Sequence, residues 1–150
     1  MDDFIHRIEQ TGVKILRNKS VCYNRNSTCY QIIGIDDLRG NRHDISRALE
    51  IKDCKPILKI AFTHNPDMAL EMPGDSVDYL LAGHFHGGQI WMPFNMEYKV
   101  LRNDKLSRMG IQRGLHRVNG INLYINRGLG NVLFPLRFLS RPEITVFYFP

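Results

Sequence analysis

The stretch that decides the fold runs from residue 80 to residue 90 and reads LLAGHFHGGQI. Residues 77–82 form a short, mostly apolar segment that predicts a buried strand. Gly83 ends this strand, and His84 and His86 follow it directly. In open α/β sheets, ligands lie outside the carboxyl ends of the strands. The turn after residue 82 is therefore the place where a ligand is expected.

Three histidines follow predicted strands and are candidate metal ligands. A tight glycine turn can aim the two histidines after residue 83 at two neighbouring ions, because Gly87 and Gly88 leave the backbone free where side chains would block it. The pattern His-x-His alone is weak evidence for a metal site. A second apolar segment, residues 57–62, leads to His64. Neutral imidazole is a suitable ligand for Zn, Mn, Fe or Ni.

Two of these segments carry a family resemblance. Residues 83–89 (GHFHGGQ) strongly resemble the G-H-x-H-G-G-Q motif of the calcineurin-like metallophosphoesterases, and residues 63–67 (THNPD) resemble that family's isolated-histidine motif. Residues 126–130 (NRGLG) and 142–145 (PEIT) are also similar to the family. The resemblance covers nearly the whole chain but only the second half of the family's domain. It implies an α/β fold: the second half of an α/β/β/α sandwich, with a mixed sheet and helices on one face, as one partial domain over residues 1–150.

The resemblance also implies a set of metal ligands. His64 and His84 would bind one ion of a binuclear centre, and His86 would bind the other. Two divalent ions about 3.5–4 Å apart generate a hydroxide and stabilise the leaving oxygen in phosphoester hydrolysis. The implied cofactors are Mn, Zn, Fe or Ni, and the implied substrate is a phosphomonoester or phosphodiester.

Five further residues are candidates for contacts with the metal ligands or the substrate, and an ordinary structural role is open for each. Asn65 and Gln89 either orient ligands or bond their own backbone as loop amides. Asp36 and Asp37 follow a predicted strand, so they either point toward the histidines or cap a turn. Arg127 either binds phosphate through its planar guanidinium or lies in a surface turn.

The family's centre also uses an upstream D-x-H, a G-D-x-x-D and a G-N-H-D/E motif. Residues 40–44 (GNRHD) imitate the last motif with one residue too many, and Asp44 is expected to cap a helix. Residues 74–78 (GDSVD) match the second motif, but Asp78 begins the strand whose far end carries His84. At about 3.3 Å per residue these two residues are about 20 Å apart, so one ion cannot bind both.

Two classes of function remain open for such a chain. The first is the C-terminal portion of a metal-dependent phosphoesterase, inactive or weak alone. The alternative is a non-enzymatic remnant, or an interaction module that complements a separately encoded N-terminal half. A half-sandwich leaves an apolar sheet face or a strand edge uncovered. We therefore expect a homodimer or association with an N-terminal half.

Composition narrows the partners. The chain has 150 residues, of which 43% are hydrophobic and 23% charged, which fits one domain with a core. The net charge of +5 favours anionic partners, but the basic residues are scattered and nucleic-acid binding is not expected. Cys22, Cys29 and Cys54 have no C-x-x-C spacing, which predicts free thiols in a reducing compartment. Without a signal peptide or an apolar run of about 18 residues, the chain is predicted to be cytoplasmic and to lack a membrane span.

Apolar patterning predicts the other elements. A short helix is expected at the N-terminus, a strand at residues 13–16 and a hairpin within residues 20–35. The last two strands are expected at residues 122–125 and 144–149. Residues 91–120 are mixed in character and are interpreted as an irregular surface excursion.

Overall fold

The computed structural model describes residues 2–51, 55–90, 92–133 and 135–149. Its centre is one six-stranded sheet in the order β1-β2-β3-β4-β6-β5. The strands are β1 (Lys19–Arg25), β2 (Thr28–Gly34), β3 (Leu58–Phe62), β4 (Tyr79–Ala82), β5 (Gly114–Val118) and β6 (Ile121–Ile125).

The four inner strands of the sheet are parallel, and the two outer strands are antiparallel. β2, β3, β4 and β6 run in the same direction, whereas β1 and β5 pair with their neighbours as hairpins. The first hairpin turns at Asn26 and Ser27, and the second at Asn119 and Gly120, all with positive φ. Two-residue turns of this kind match the twist of a hairpin. The predicted α/β class and mixed sheet are confirmed.

Among the described residues there are five short α-helices, of which the first precedes β1 and the others lie between strands: α1 (Asp2–Glu9), α2 (Ile45–Leu49), α3 (Met68–Glu71), α4 (Met96–Leu101) and α5 (Lys105–Arg108). Asp44 caps α2 as predicted, since its Oδ1 accepts the Arg47 N–H at 3.0 Å. Asp67 performs a similar role for α5, although it lies far away in the sequence. Its carboxylate accepts the N–H groups of Lys105 and Leu106 at 2.6 and 2.8 Å.

One face of the sheet is fully covered. Ile33, Ala61, Leu80 and Leu123 lie side by side across the four parallel strands, and all four are completely buried. Helix residues Ala48, Met68 and Leu106 belong to the same apolar core. Burying a side chain of this size contributes about 1.5–3 kcal/mol. This core fixes the parallel strands and thereby the position of every residue at their ends.

The opposite face of the sheet is only partly covered. Phe62 and Leu115, which lie in the same cross-strand row of that face, are 45% and 62% exposed. The C-terminal segment places Phe147 against Tyr124 and Phe149 against Tyr79, with ring centroids 4.9 and 5.2 Å apart. Between this segment and the β1–β2 hairpin lies a groove of about 540 Å³, lined largely by aromatic and aliphatic side chains.

Three expectations about elements were wrong. Residues 13–16 form no strand; they cross Gly34 so closely that a Cβ there would lie 2.3 Å from the Leu16 carbonyl oxygen. Residues 144–149 are not a strand either, although their side chains alternate between half-buried and exposed. The region 91–120 is more regular than predicted, because it contains α4, α5 and β5.

The cysteines also differ from the expectation. Cys22 takes part in a disulfide bond, whereas Cys29 is a free thiol as predicted. Cys54 lies outside the described residues. The prediction of free thiols is therefore wrong for Cys22, and the reducing compartment inferred from it loses part of its basis. Within the described ranges, no helix has the length and apolar character that crossing a membrane requires.

Candidate metal centre

The carboxyl ends of the four parallel strands bring the candidate residues to one edge of the sheet. Asp36 follows β2, His64 follows β3, His84 follows β4 and Arg127 follows β6. Backbone hydrogen bonds extend the pairing past the strand ends, from Thr63 N–H to the Leu81 carbonyl at 3.1 Å and from Gly83 N–H to the His64 carbonyl at 3.2 Å. The sequence correctly placed this edge, and Asp78 lies at the opposite end of β4, where it accepts the Lys59 N–H at 2.7 Å.

His64 and His84 meet at this edge. His84 Nδ1 lies 3.0 Å from His64 Nε2, and the two rings cross edge to face with centroids 4.8 Å apart. Two nitrogens at this separation can both lie about 2.1 Å from one ion, which is the usual length of a metal–imidazole bond. The pair therefore fits a shared divalent cation as two of its ligands.

The turn that carries His84 and His86 has an unusual backbone. Both histidines and Gln89 have positive φ (69°, 53° and 59°), as do Gly87 and Gly88. A side chain in this region costs of order 1–3 kcal/mol and persists where the surrounding structure imposes it. A Cβ at Gly87 would lie 2.7 Å from Arg127 Cγ and from Ser140 Oγ. The glycine thus permits the close approach of the 127–140 loop.

His86 is held by that loop. Its Nδ1 lies 3.1 Å from the Gly130 carbonyl oxygen, so a neutral ring donates from Nδ1 and keeps the lone pair on Nε2. The carbonyl of His86 accepts from Arg137 Nη1 and from Ser140 Oγ, both at 3.1 Å. Among the described residues, no group of three or more His, Cys, Asp or Glu side chains is positioned to hold one ion.

Charged side chains lie behind His84. Its Nε2 is 3.4 Å from Asp104 Oδ1 and 3.3 Å from Arg102 Nη1, and its side chain is only 8% exposed. Burial lowers the pKa of His84 to about 4, helped by the positive charges of Arg39 and Arg102 and opposed by Asp104. The ring is therefore neutral at pH 7 and has a lone pair available for a metal ion.

Asn65 and Gln89, the two candidate amides, have different partners. Asn65 is buried; its Oδ1 accepts the Asp67 N–H at 2.9 Å, and its amide donates to Asp104 Oδ1 at 3.3 Å. It therefore bonds its own loop and also contacts the carboxylate behind His84. The Gln89 side chain bonds both backbone groups of Val132, at 2.8 and 2.6 Å, which fastens the 127–140 loop to the turn.

The two aspartates after β2 also differ. Asp36 forms an ion pair with Arg17 at 3.1 Å and accepts from the same guanidinium through Nε at 3.2 Å. Asp37 precedes a short 3-10 turn without capping it through its side chain. Its buried Oδ1 has no hydrogen-bond partner in the protein. Asp36 is therefore engaged in structure, whereas Asp37 keeps an acceptor free near the sheet edge.

Arg127 is an internal contact as well as an edge residue. Its Nε donates to Glu143 Oε2 at 2.5 Å, and Glu143 also accepts from the hydroxyl of Tyr124. These bonds, with the one from Asn126 to Thr145 at 2.9 Å, tie the C-terminal segment to β6. The expectation of a surface turn arginine does not describe this side chain.

Sequence reasoning missed the charged group formed by Arg39, Arg102 and Asp104. Asp104 is 5% exposed in its side chain and ion-pairs with Arg39 and Arg102 at 3.4 and 3.7 Å. The available signal was the position of Asp104 directly before the short helix α5, where aspartate is a preferred N-terminal residue. That signal predicts a helix cap and not a contact with a histidine 20 residues earlier.

The fold and this edge define a class: an α/β protein with a pair of metal-competent imidazoles at the carboxyl ends of parallel strands. Relatives agree with that class. The chain is 37% identical over 92% of its length to the uncharacterized metallophosphoesterase YkoQ of Bacillus subtilis, covering 50% of that protein. It is 34% identical over 88% of its length to the UDP-2,3-diacylglucosamine pyrophosphatase LpxG of Chlamydia trachomatis, covering 42%. To the phosphodiesterase YaeI of Escherichia coli it is 27% identical over 93% of its length, covering 48%.

The relatives include metallophosphoesterases that match most of the chain, which agrees with the C-terminal half of a calcineurin-like metallophosphoesterase. The chain spans about half the length of the curated relatives that it matches. No protein-family profile matches the chain, and no solved structure is similar to it.

Proposed function

We propose that this chain supplies part of the binuclear centre of a metal-dependent phosphoesterase. His64 and His84 bind one divalent ion, and His86 binds the second. The observation that carries the proposal is the 3.0 Å separation of His64 Nε2 and His84 Nδ1. The lowered pKa of His84 supports it, because the ring needs no deprotonation before it binds a cation at neutral pH.

The residues of this chain contribute positioning and charge. The bound ions, Mn, Zn, Fe or Ni by ligand type, supply a hydroxide at neutral pH and stabilise charge on the phosphoryl oxygens. His86 offers Nε2, because its Nδ1 faces the Gly130 carbonyl. Asp37 adds a carboxylate oxygen without a partner in the protein at the same edge.

The substrate is a phosphoester, and a phosphodiester is favoured over a phosphomonoester. Two relatives support this choice, one being a phosphodiesterase and the other a pyrophosphatase that acts on a UDP-linked diacyl sugar. These substrates share a phosphorus that is joined through oxygen to two groups. The net charge of +5 is compatible with an anionic substrate but does not select among them.

The centre needs ligands beyond those of this chain, and its activity alone is low. Three neutral histidines do not offset the repulsion of two close dications. The match to the family's G-D-x-x-D motif, residues 74–78, lies at the end of β4 opposite to His84 and supplies no bridging carboxylate there. The partly covered sheet face and its groove of about 540 Å³ support association with a second polypeptide that corresponds to the other half of the curated relatives. That half would cover Phe62 and Leu115 and complete the centre.

A hydrolysis assay tests this proposal. The chain is incubated with Mn²⁺ and an activated aryl phosphodiester, with the His84→Ala chain as control. We expect turnover that is barely above the control, together with weak Zn²⁺ or Mn²⁺ binding by calorimetry that is lost in both His64→Ala and His84→Ala. Robust turnover that disappears in His84→Ala would show a complete centre within the 150 residues. Metal binding that survives both substitutions would remove the assigned ligands.

Light scattering tests the assembly. We expect the chain to associate with a separately supplied N-terminal half, which would bind in the groove. A homodimer would show that a second copy covers the groove instead. A stable monomer at high concentration that ignores the other half would end the assembly proposal.

A further inference from the structure

The two nitrogens of His84 face different chemical partners. Nδ1 faces His64 Nε2 at 3.0 Å, while Nε2 faces both Asp104 Oδ1 at 3.4 Å and Arg102 Nη1 at 3.3 Å. A carboxylate only accepts hydrogen bonds, and a guanidinium only donates them. A neutral His84 ring therefore satisfies one of these two partners at a time, and the choice decides where its proton lies.

The two choices have opposite consequences at Nδ1. If Arg102 donates to Nε2, the ring proton lies on Nδ1 and points at His64, so the pair forms an imidazole–imidazole hydrogen bond and cannot share an ion. If Nε2–H donates to Asp104, the lone pair lies on Nδ1. His64 Nε2 and His84 Nδ1 can then both be ligands, because the hydrogen bond of one ring nitrogen sets the state of the other.

The surroundings of Asp104 favour a hydrogen bond from His84 Nε2–H to its carboxylate. Its side chain is only 5% exposed, and Oδ1 is fixed by the amide of Asn65 at 3.3 Å and by Arg39 at 3.4 Å. Oδ2 is buried and has no hydrogen-bond partner in the protein. Arg102 Nη1 lies 3.7 Å from Oδ2.

Arg102 can change partner with little movement. Its Nη2 donates to the His84 carbonyl at 3.0 Å, and its guanidinium lies over the Phe85 ring, 5.4 Å from the centroid. These contacts hold the group in place. A small rotation would move the hydrogen bond of Nη1 from His84 Nε2 to the unpartnered Asp104 Oδ2.

We infer that Asp104 is a positioning residue that accepts the Nε2 proton of His84 and leaves Nδ1 free for a divalent cation, while Arg102 transfers its hydrogen bond to Asp104 Oδ2. The inference rests on the proposed function of the His64–His84 pair. Carboxylates behind ligating histidines typically change metal affinity by about 10–100-fold. In this exchange the Nδ1–H bond of His84 breaks and an Nε2–H bond forms, so one proton changes its nitrogen and the ring stays neutral.

The test compares two substitutions of buried aspartates on the same helix terminus. Asp104→Asn weakens the acceptor behind His84. The matched control, Asp67→Asn, weakens the contact with the N–H groups of Lys105 and Leu106 without touching His84. Zn²⁺ affinity is measured by calorimetry on the full chain. We expect an affinity about 10-fold or more lower in Asp104→Asn and within about 3-fold of wild type in Asp67→Asn.

Nitrogen-15 NMR of the His84 ring gives the second measurement, which loss of packing alone would not produce. In the Zn²⁺-loaded wild-type chain we expect the proton on Nε2, with Nδ1 ligating. Equal losses in the two variants, with the proton on Nε2, would overturn the inference while leaving the metal site intact. A proton on Nδ1 in the loaded chain would overturn both the inference and the pairing of His64 Nε2 with His84 Nδ1 at one ion. If the wild-type chain binds Zn²⁺ no better than His84→Ala, the proposed function fails and the inference fails with it.

Discussion

His84 and His86 are two residues apart, yet different kinds of partner hold them. The His84 ring contacts charged side chains, Asp104 and Arg102, within 3.4 Å. The His86 ring contacts a backbone carbonyl, that of Gly130, and its own carbonyl receives bonds from Arg137 and Ser140. Charged side chains therefore determine the protonation of the His84 ring, whereas the path of a loop determines the orientation of the His86 ring.

The largest expected effect comes from removing the hydrogen bonds that hold the loop around His86. Arg137 donates to the backbone carbonyls of five residues, namely His86, Arg127, Gly128, Gly130 and Ser140. Arg137→Leu removes all of these hydrogen bonds, although the carbonyls of His86, Gly128 and Gly130 each keep another partner. Hydrogen bonds to a charged group contribute about 1.5–3 kcal/mol each in favourable cases. We expect a loss of about 3–4 kcal/mol in the free energy of unfolding, measured in urea.

The exposed neighbour Arg141 is the control for this substitution, because Arg141→Leu should change stability by no more than about 0.5 kcal/mol. Hydrogen exchange should accelerate in residues 127–140 of Arg137→Leu and stay unchanged at α5. Equal destabilisation by both leucine substitutions would show that Arg137 does not fasten the loop.

The second-largest expected effect is a loss of folding stability in acid, caused by His84. An unfolded histidine titrates near pH 6.5, whereas the pKa of buried His84 is about 4. Between these values the unfolded chain binds more protons, so stability falls as the pH decreases from 6.5 toward 4. The loss is at most about 3 kcal/mol, at about 1.4 kcal/mol per pKa unit.

Urea unfolding of the metal-free chain at a series of pH values measures this loss. We expect His84→Asn to flatten the curve between pH 4 and 6.5. A wild-type slope in His84→Asn would mean that other groups cause the acid sensitivity.

The smallest expected effect is the difference in stability between two glycine-to-alanine substitutions in the turn, at Gly87 and at Gly83. Gly87→Ala places a Cβ 2.7 Å from Ser140 Oγ at a φ of +61°, whereas a Cβ at Gly83 meets nothing within 4 Å. We expect Gly87→Ala to cost about 2 kcal/mol and Gly83→Ala less than about 0.5 kcal/mol. Thermal unfolding of both variants checks the difference, and similar melting temperatures would contradict the close approach at Gly87.

The sequence predicted the strand ends that carry histidines because short apolar segments followed by glycine or polar residues give a local signal. His64 and His84 meet for that reason: parallel strands end at the same edge. Asp104 carries no comparable signal. It reaches His84 because the buried Leu106 fixes α5 in the core, and such packing links residues far apart in the sequence.

Two errors show where local patterns were incomplete. Asn119-Gly120, a strong two-residue hairpin signal, lies between β5 and β6 and was overlooked when residues 91–120 were interpreted as irregular. The alternation in residues 144–149 is real, but a strand also needs a hydrogen-bonded neighbour, and within the described part of the chain these residues have none. Alternating side chains therefore predict which residues face the protein, but they do not predict that the segment pairs with a neighbouring strand.

The strand order has a consequence for the folding pathway. The β1–β2 and β5–β6 hairpins close over two residues each, whereas the β4–β6 pairing joins Tyr79 to Asn122. Contacts between residues close in sequence form early, and long-range parallel pairing is slow. The histidines lie at the ends of β3 and β4, inside the long-range part of the sheet. Their convergence is thus a late event, and a nascent chain that has made only its hairpins has not yet brought His64 and His84 together.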